Sequence, residues 1–132
     1  MQTTYLTEQD LNLLKDRGSI VTYTPQQVIL QQDTAPDRIY YLLDGNVKVD
    51  FSRVYGTDVL AYVGPGEFIG EVSFLDQGES SASVTAVQAV EMLELSRGDL
   101  EELLEADPSL AARFFHTLAT TLARRIRASN SQ

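Results

Sequence analysis

Residues Gly64–Ala86 read GPGEFIGEVSFLDQGESSASVTA. Gly64-Pro65-Gly66 is turn chemistry. Phe68 and Ile69 follow as a short apolar anchor. Gly70-Glu71 then opens Val72–Leu75, a run long enough for about one helical turn. A glycine at Gly70 lets a ligand approach the backbone closely, and free N–H groups at the start of a turn suit an anion. The Glu71 carboxylate beside them can accept hydrogen bonds from sugar hydroxyls. After Gly78 the chain returns through Ser80, Ser81, Ala82 and Ser83, small residues that re-enter a strand at Val84 and can line a shallow pocket. The candidate effector pocket is therefore Gly70, Glu71, Val72, Ser73, Ser80, Ser81, Ala82 and Ser83.

These residues resemble the phosphate-binding cassette of the cyclic nucleotide-binding domain family, of catabolite activator protein and protein kinase A regulatory subunit type. That cassette runs Gly-Glu, a short helix, then Arg-(Ala/Ser)-Ala-(Thr/Ser)-Val. Gly70-Glu71 matches its start, and Ser81-Ala82-Ser83-Val84 matches its end at the right separation. The resemblance covers nearly the whole chain. It implies a regulatory module that binds a cyclic nucleotide, with Glu71 at the ribose.

The resemblance also puts Ser80 where the family has its phosphate-binding arginine. A neutral serine gives one weaker bond in place of charge-assisted, often bidentate ones. Losing a hydrogen bond to a charged group costs about 1.5–3 kcal/mol. Glu79 next door repels a phosphate further. Arg38 and Arg53 are candidates to supply the missing charge, although neither matches a family position. The expected ligand is thus a weakly bound cyclic nucleotide, a different effector or none. The alternative is a ligand-free module of the same fold that dimerises or docks on a protein partner.

Outside the cassette, Thr7 is an N-cap with Glu8 and Asp10 in the first turn, Leu11 and Leu14 on one face and Gly18 at the end. From Ile20 the period becomes two. Strand-like runs follow at Ile20–Tyr23, Gln27–Leu30, Ile39–Leu43, Val47–Phe51, Val59–Val63, Ser83–Val87 and Glu91–Leu95. Turn residues separate many of them, among them Asp44-Gly45-Asn46 and Tyr55-Gly56-Thr57-Asp58. Short strands at this spacing predict a mainly β fold, an antiparallel β-roll or double-stranded jelly roll of about eight strands. An N-terminal helical segment (1–19) precedes the roll (20–95), and C-terminal helices (96–132) follow it, all in one domain spanning 1–132.

Ser96 or Asp99 caps the first closing helix, across Leu100, Leu103 and Leu104. Asp107-Pro108 restarts the chain as an N-cap with proline at the first helical position. The last helix is expected from Pro108 to about Ala128. Ala111, Phe115, Leu118, Leu122 and Ile126 form one apolar stripe on it, widened by Phe114. The pattern alone reads as packing on its own domain. The resemblance reads it as a homodimer seam through Phe115, Leu118 and Leu122.

The chain has 132 residues and a net charge of −9. The 19 acids all fall in residues 1–107, and residues 108–132 carry four bases and no acid. Direct nucleic-acid or anionic-membrane binding is therefore not expected. The basic end offsets the helix dipole or meets an acidic surface. Cysteine is absent, which excludes disulfides and thiol catalysis. No signal-like start or apolar run long enough to span a membrane is present, so a cytoplasmic protein is expected. His116 is the single histidine and lies within the last helix, so a metal site and an enzyme are not expected. The family's transcription factors continue into a helix-turn-helix, and nothing in these 132 residues reads as a recognition helix. Met1 and the polar Ser129-Asn130-Ser131-Gln132 give the expectation of a whole protein, against a domain cut from a longer one.

Overall fold

The computed structural model describes residues 4–130, with side chains to residue 128; Met1 and the last two residues of the polar tail lie outside. Helix α1 (Glu8–Arg17) begins with a capping box. The Thr7 hydroxyl accepts from the Asp10 amide at 3.1 Å, and the Asp10 carboxylate accepts from the Thr7 amide at 2.9 Å. Two orphan donors are thereby satisfied. Gly18 ends the helix, its amide donating to the Leu14 carbonyl at 3.0 Å. A Cβ there would come within 2.7 Å of the Glu94 carbonyl oxygen, so close approach to the sheet requires the glycine.

Eight strands follow: β1 (Ser19–Tyr23), β2 (Val28–Leu30), β3 (Arg38–Asp44), β4 (Val47–Arg53), β5 (Gly56–Val63), β6 (Phe68–Ile69), β7 (Ser83–Ala86) and β8 (Val90–Ser96). They form two four-stranded antiparallel sheets, ordered β1-β8-β3-β6 and β2-β7-β4-β5. This is the expected β-roll. The short apolar anchor proves to be strand β6, pairing Tyr40 with Ile69 and Tyr41 with Phe68. Two residues are too few to show a period. The β4–β5 turn also lies earlier than the sequence suggests: Thr57 and Asp58 already pair with Ser52 and Phe51, leaving Val54 and Tyr55 exposed at the tip.

Strand β3 is buried on both faces, which is why it reads as nearly continuous apolar sequence. Tyr40 and Leu42 face the roll interior with Val47, Val84 and Met92. Ile39 and Tyr41 face the helices with Leu93, Leu95, Leu100 and Phe114. Alternation along one strand thus feeds two cores.

Helix α2 (Glu71–Asp76) lies between β6 and β7, and α3 (Arg97–Ala106) and α4 (Pro108–Asn130) close the chain. Ser96 caps α3 by accepting from the Asp99 amide at 3.1 Å. The Asp107 carboxylate accepts from the Leu110 amide at 3.1 Å. Phe114, expected to widen the apolar stripe, anchors α4 in the core together with Leu110. Leu118 is 1% exposed and belongs to the same core, so it is removed from the expected dimer seam. Phe115 (43%) and Ile126 (61%) do face outward, with Ala119 exposed and Leu122 half-buried between them.

The N-terminal segment is fastened along α4. The Tyr5 amide donates to the Thr117 hydroxyl at 2.9 Å, and the Tyr5 and His116 rings stack with centroids 3.6 Å apart. The lone histidine therefore serves as a stacking surface. No described helix is long and apolar enough to cross a membrane.

Candidate functional site

The pairing of β6 with β3 carries the chain to Gly70 at a fixed place beside the roll. The Gly66 amide donates to the Leu42 carbonyl at 2.9 Å, and the Leu42 amide to the Glu67 carbonyl at 3.0 Å. Gly70 then takes φ +85°, a left-handed conformation that favours glycine. The Phe74 amide donates back to the Gly70 carbonyl at 3.1 Å, closing the first turn of α2.

On the returning side, the Ser80 amide donates to the Thr34 carbonyl at 2.7 Å, and the Asp33 amide donates to the Ser80 carbonyl at 2.9 Å. The buried Ser80 hydroxyl donates to the Ala82 carbonyl at 2.7 Å. It thereby tightens its own loop before any ligand is considered. The Ser83 hydroxyl accepts from the Gln32 amide at 2.9 Å.

These segments surround a cavity of about 660 Å³. Gly70, Glu71, Val72, Ser73, Ser80, Ser81 and Ala82 line it, with apolar walls from Leu30, Val49, Val59 and Val63. Ser83, the remaining candidate, is not among the lining residues; its hydroxyl turns to the Gln32 backbone.

Glu71 is 4% exposed, so its carboxylate needs a partner. Arg125, from the far end of α4, supplies one through an ion pair and lines the cavity itself. Arg124 pairs with Glu67 in the same way, and Arg125 also lies 4.0 Å from Glu67. Two acids of the cassette-like stretch thus meet two arginines of the last helix. The sequence reading missed Arg125. Its only local signal is the run Arg124-Arg125-Ile126-Arg127, and nothing in that run says what it faces.

Neither arginine that the sequence offered reaches the cavity. Arg38 is held by Asp37 and Glu94, and Arg53 by Asp58 at 3.0 Å, with its guanidinium over the Phe51 ring. Among the described residues every buried side-chain polar atom has a hydrogen-bond partner. A ligand that takes the Glu71 carboxylate or the Ser80 hydroxyl has to displace the bonds those side chains already make. No group of three or more His, Cys, Asp or Glu side chains gathers as a metal site among the described residues.

The sequence model of the cyclic nucleotide-binding domain matches residues 20–107. The chain belongs to the cyclic nucleotide-binding domain family. It is 39% identical over 106 residues to the cyclic AMP receptor protein of Thermus thermophilus, covering 80% of this chain and 47% of that protein. It is 27% identical over 128 residues to the cAMP-activated global transcriptional regulator CRP of Salmonella typhimurium, covering 96% of this chain and 59% of that one. The chain thus spans about half the length of the curated relatives it matches. Its fold is similar to the crystal structure of the Thermus thermophilus catabolite activator protein, with a TM-score of 0.80 and 34% identity over 96% of this chain and 58% of that one. A cyclic nucleotide-binding domain from Methylobacillus flagellatus gives a TM-score of 0.88 at 26% identity, over 99% of this chain and 74% of that one.

Proposed function

We propose that this domain is a non-enzymatic regulatory sensor that binds a cyclic nucleotide weakly or takes a different effector in the same pocket. The observation that carries the reading is the buried Glu71 carboxylate, set at the edge of a cavity of about 660 Å³ and paired with Arg125 of α4. A hydroxyl-rich ligand competes for that carboxylate and so touches the pair that fastens the last helix. The names of the relatives, a cyclic AMP receptor and a cAMP-activated regulator, support the ligand class.

The weakness follows from charge. The cassette-like loop offers Ser80, whose hydroxyl is already donated to Ala82, where the family resemblance expects an arginine. The cation at hand is Arg125, and Glu71 holds it. Calorimetric titration with cAMP and cGMP tests the reading: binding in the micromolar range or weaker is expected, and submicromolar affinity overturns the assignment of weakness.

A second reading, a ligand-free dimerisation module, is favoured by the outer face of α4. Phe115, Ala119, Leu122 and Ile126 recur at spacings of 4, 3 and 4, as in a coiled-coil seam. A homodimer through this face is compatible with either reading. The expectation that the domain itself stays off nucleic acid rests on its net charge of −9. A solution mass of two chains with an unresponsive pocket would favour the second reading.

A further inference from the structure

Helix α2 has six residues, too few to be stable alone. The last four carbonyls of a helix have no partner within it. In α2 the Ser73 carbonyl accepts from the Gln77 amide at 2.8 Å, closing the helix, and one side chain from another element reaches both this carbonyl and that of Phe74. Arg97, the first residue of α3, donates through Nη2 to the Ser73 carbonyl at 2.7 Å and through Nη1 to the Phe74 carbonyl at 2.9 Å. Its guanidinium also lies over the Phe74 ring, 4.9 Å from the centroid. Glu101, one turn along α3, holds the same group at 3.5 Å. The side chain is 23% exposed, so these bonds are partly shielded from water.

The contact touches the pocket directly. Ser73 lines the cavity, and its carbonyl is the one Arg97 grips. Glu71 and Val72, in the preceding residues of the same short helix, line the cavity too. A helix of six residues moves as a unit, so what fixes its end fixes where its beginning points.

We propose that Arg97 is a positioning residue of the effector pocket: it holds the carbonyl end of α2 so that Glu71 and Ser73 keep their places at the cavity. This rests on the effector-pocket reading above. The chemistry is specific to arginine. A planar fork spans two adjacent carbonyls while stacking on a ring, whereas lysine offers a single point charge. The positive group also opposes the negative end of the helix.

The test compares the native protein with Arg97→Gln and Arg97→Lys, each alone and combined with Ser80→Arg. Hydrogen exchange in the absence of ligand reads the hold on α2. The Phe74 and Gln77 amides should exchange about tenfold faster or more in Arg97→Gln, with the sheet amides of Leu42 and Leu93 unchanged. Titration with cAMP reads the pocket. Arg97→Gln should weaken binding about tenfold in the Ser80→Arg protein, and Arg97→Lys should recover part of that loss. Unchanged exchange in α2 overturns the proposal. So does equal acceleration throughout the sheet, which would be a general loss of stability, and so does undiminished cAMP affinity. If Ser80→Arg itself binds no cAMP, the cyclic-nucleotide reading of the pocket falls, and the exchange comparison alone decides whether Arg97 holds α2.

Discussion

Arg113 grips Asp10 through two hydrogen bonds, from Nε at 2.6 Å and from Nη2 at 2.8 Å, across 103 residues of chain. The same carboxylate closes the capping box of α1. One buried acid therefore ties the first helix to the last.

The pair sets an acid limit on stability. The Arg113 guanidinium, aided by the Thr7 bonds and opposed by burial, holds the Asp10 carboxyl down at about 2. A depressed native pKa favours the folded state above the unfolded value of 3.8 and ceases to do so as pH falls through about 2. The native protein should lose stability steeply between those values. Asp10→Asn should melt lower at neutral pH and show a shallower loss over that interval. Thermal melts from pH 7 to pH 2 check this; parallel curves for the two proteins would refute it.

Leu118 and Phe115 should respond in opposite ways to charge. Leu118→Glu places a carboxylate in the core and should cost about 4 kcal/mol or more. Phe115→Glu combined with Ile126→Glu alters the outer face and should leave the fold intact while reducing the solution mass to one chain. Circular dichroism with analytical ultracentrifugation separates the two effects. A native protein that sediments as a monomer at tens of micromolar ends the dimer proposal.

Ser80→Arg should raise cAMP affinity by roughly ten- to 150-fold, the equivalent of about 1.5–3 kcal/mol for a charge-assisted bond. Glu79→Gln should add a smaller gain that fades with salt. Glu71→Ala in the arginine variant should undo much of the increase if that carboxylate holds the ribose. Calorimetry on the four proteins checks the series. No gain with arginine would mean that the cavity does not admit the nucleotide.

Arg125→Met should leave the Glu71 carboxylate buried without its cation. Breaking a fully buried pair costs about 3–5 kcal/mol. Arg125 is about a third exposed, so about 1–2 kcal/mol is expected after solvent screening. Adding Glu71→Gln should restore part of the stability. Denaturant unfolding of the three proteins checks this, and the prediction fails if the double variant is no more stable than Arg125→Met.

The β-roll was legible because its strands alternate and its turns use Gly, Pro, Asn and Asp. Strand β6 was not, because Phe68 and Ile69 become a strand only through the Tyr40 and Tyr41 backbone. The last helix was half legible. Its apolar residues form two faces, Leu110, Phe114 and Leu118 inward and Phe115, Ala119, Leu122 and Ile126 outward. At about 100° per residue these faces are neighbours, and a single stripe merges them. In the site, the local glycine and turn chemistry marked Gly70 and Glu71, and the family resemblance marked Ser80. Arg125 had no such mark, because 54 residues separate it from Glu71 and only the docking of α4 brings them together.

The strand order carries a consequence for synthesis. Strand β8 lies inside its sheet, between β1 and β3, with Ser19 opposite Glu94. A chain emerging from the ribosome therefore presents β1 and β3 long before the strand that joins them exists. Until then both have unpaired edges, the kind of surface on which chains associate wrongly. The β4–β5 hairpin, whose partners adjoin in sequence, can form early. The first sheet closes only when residues 90–96 arrive, and Asp10 waits longer still for Arg113. Pairings of such long reach make for slow folding, on the order of milliseconds to seconds. A nascent chain stalled before β8 lacks the middle of its sheet rather than an edge, and leaves the apolar faces of β1 and β3 without the strand that joins them.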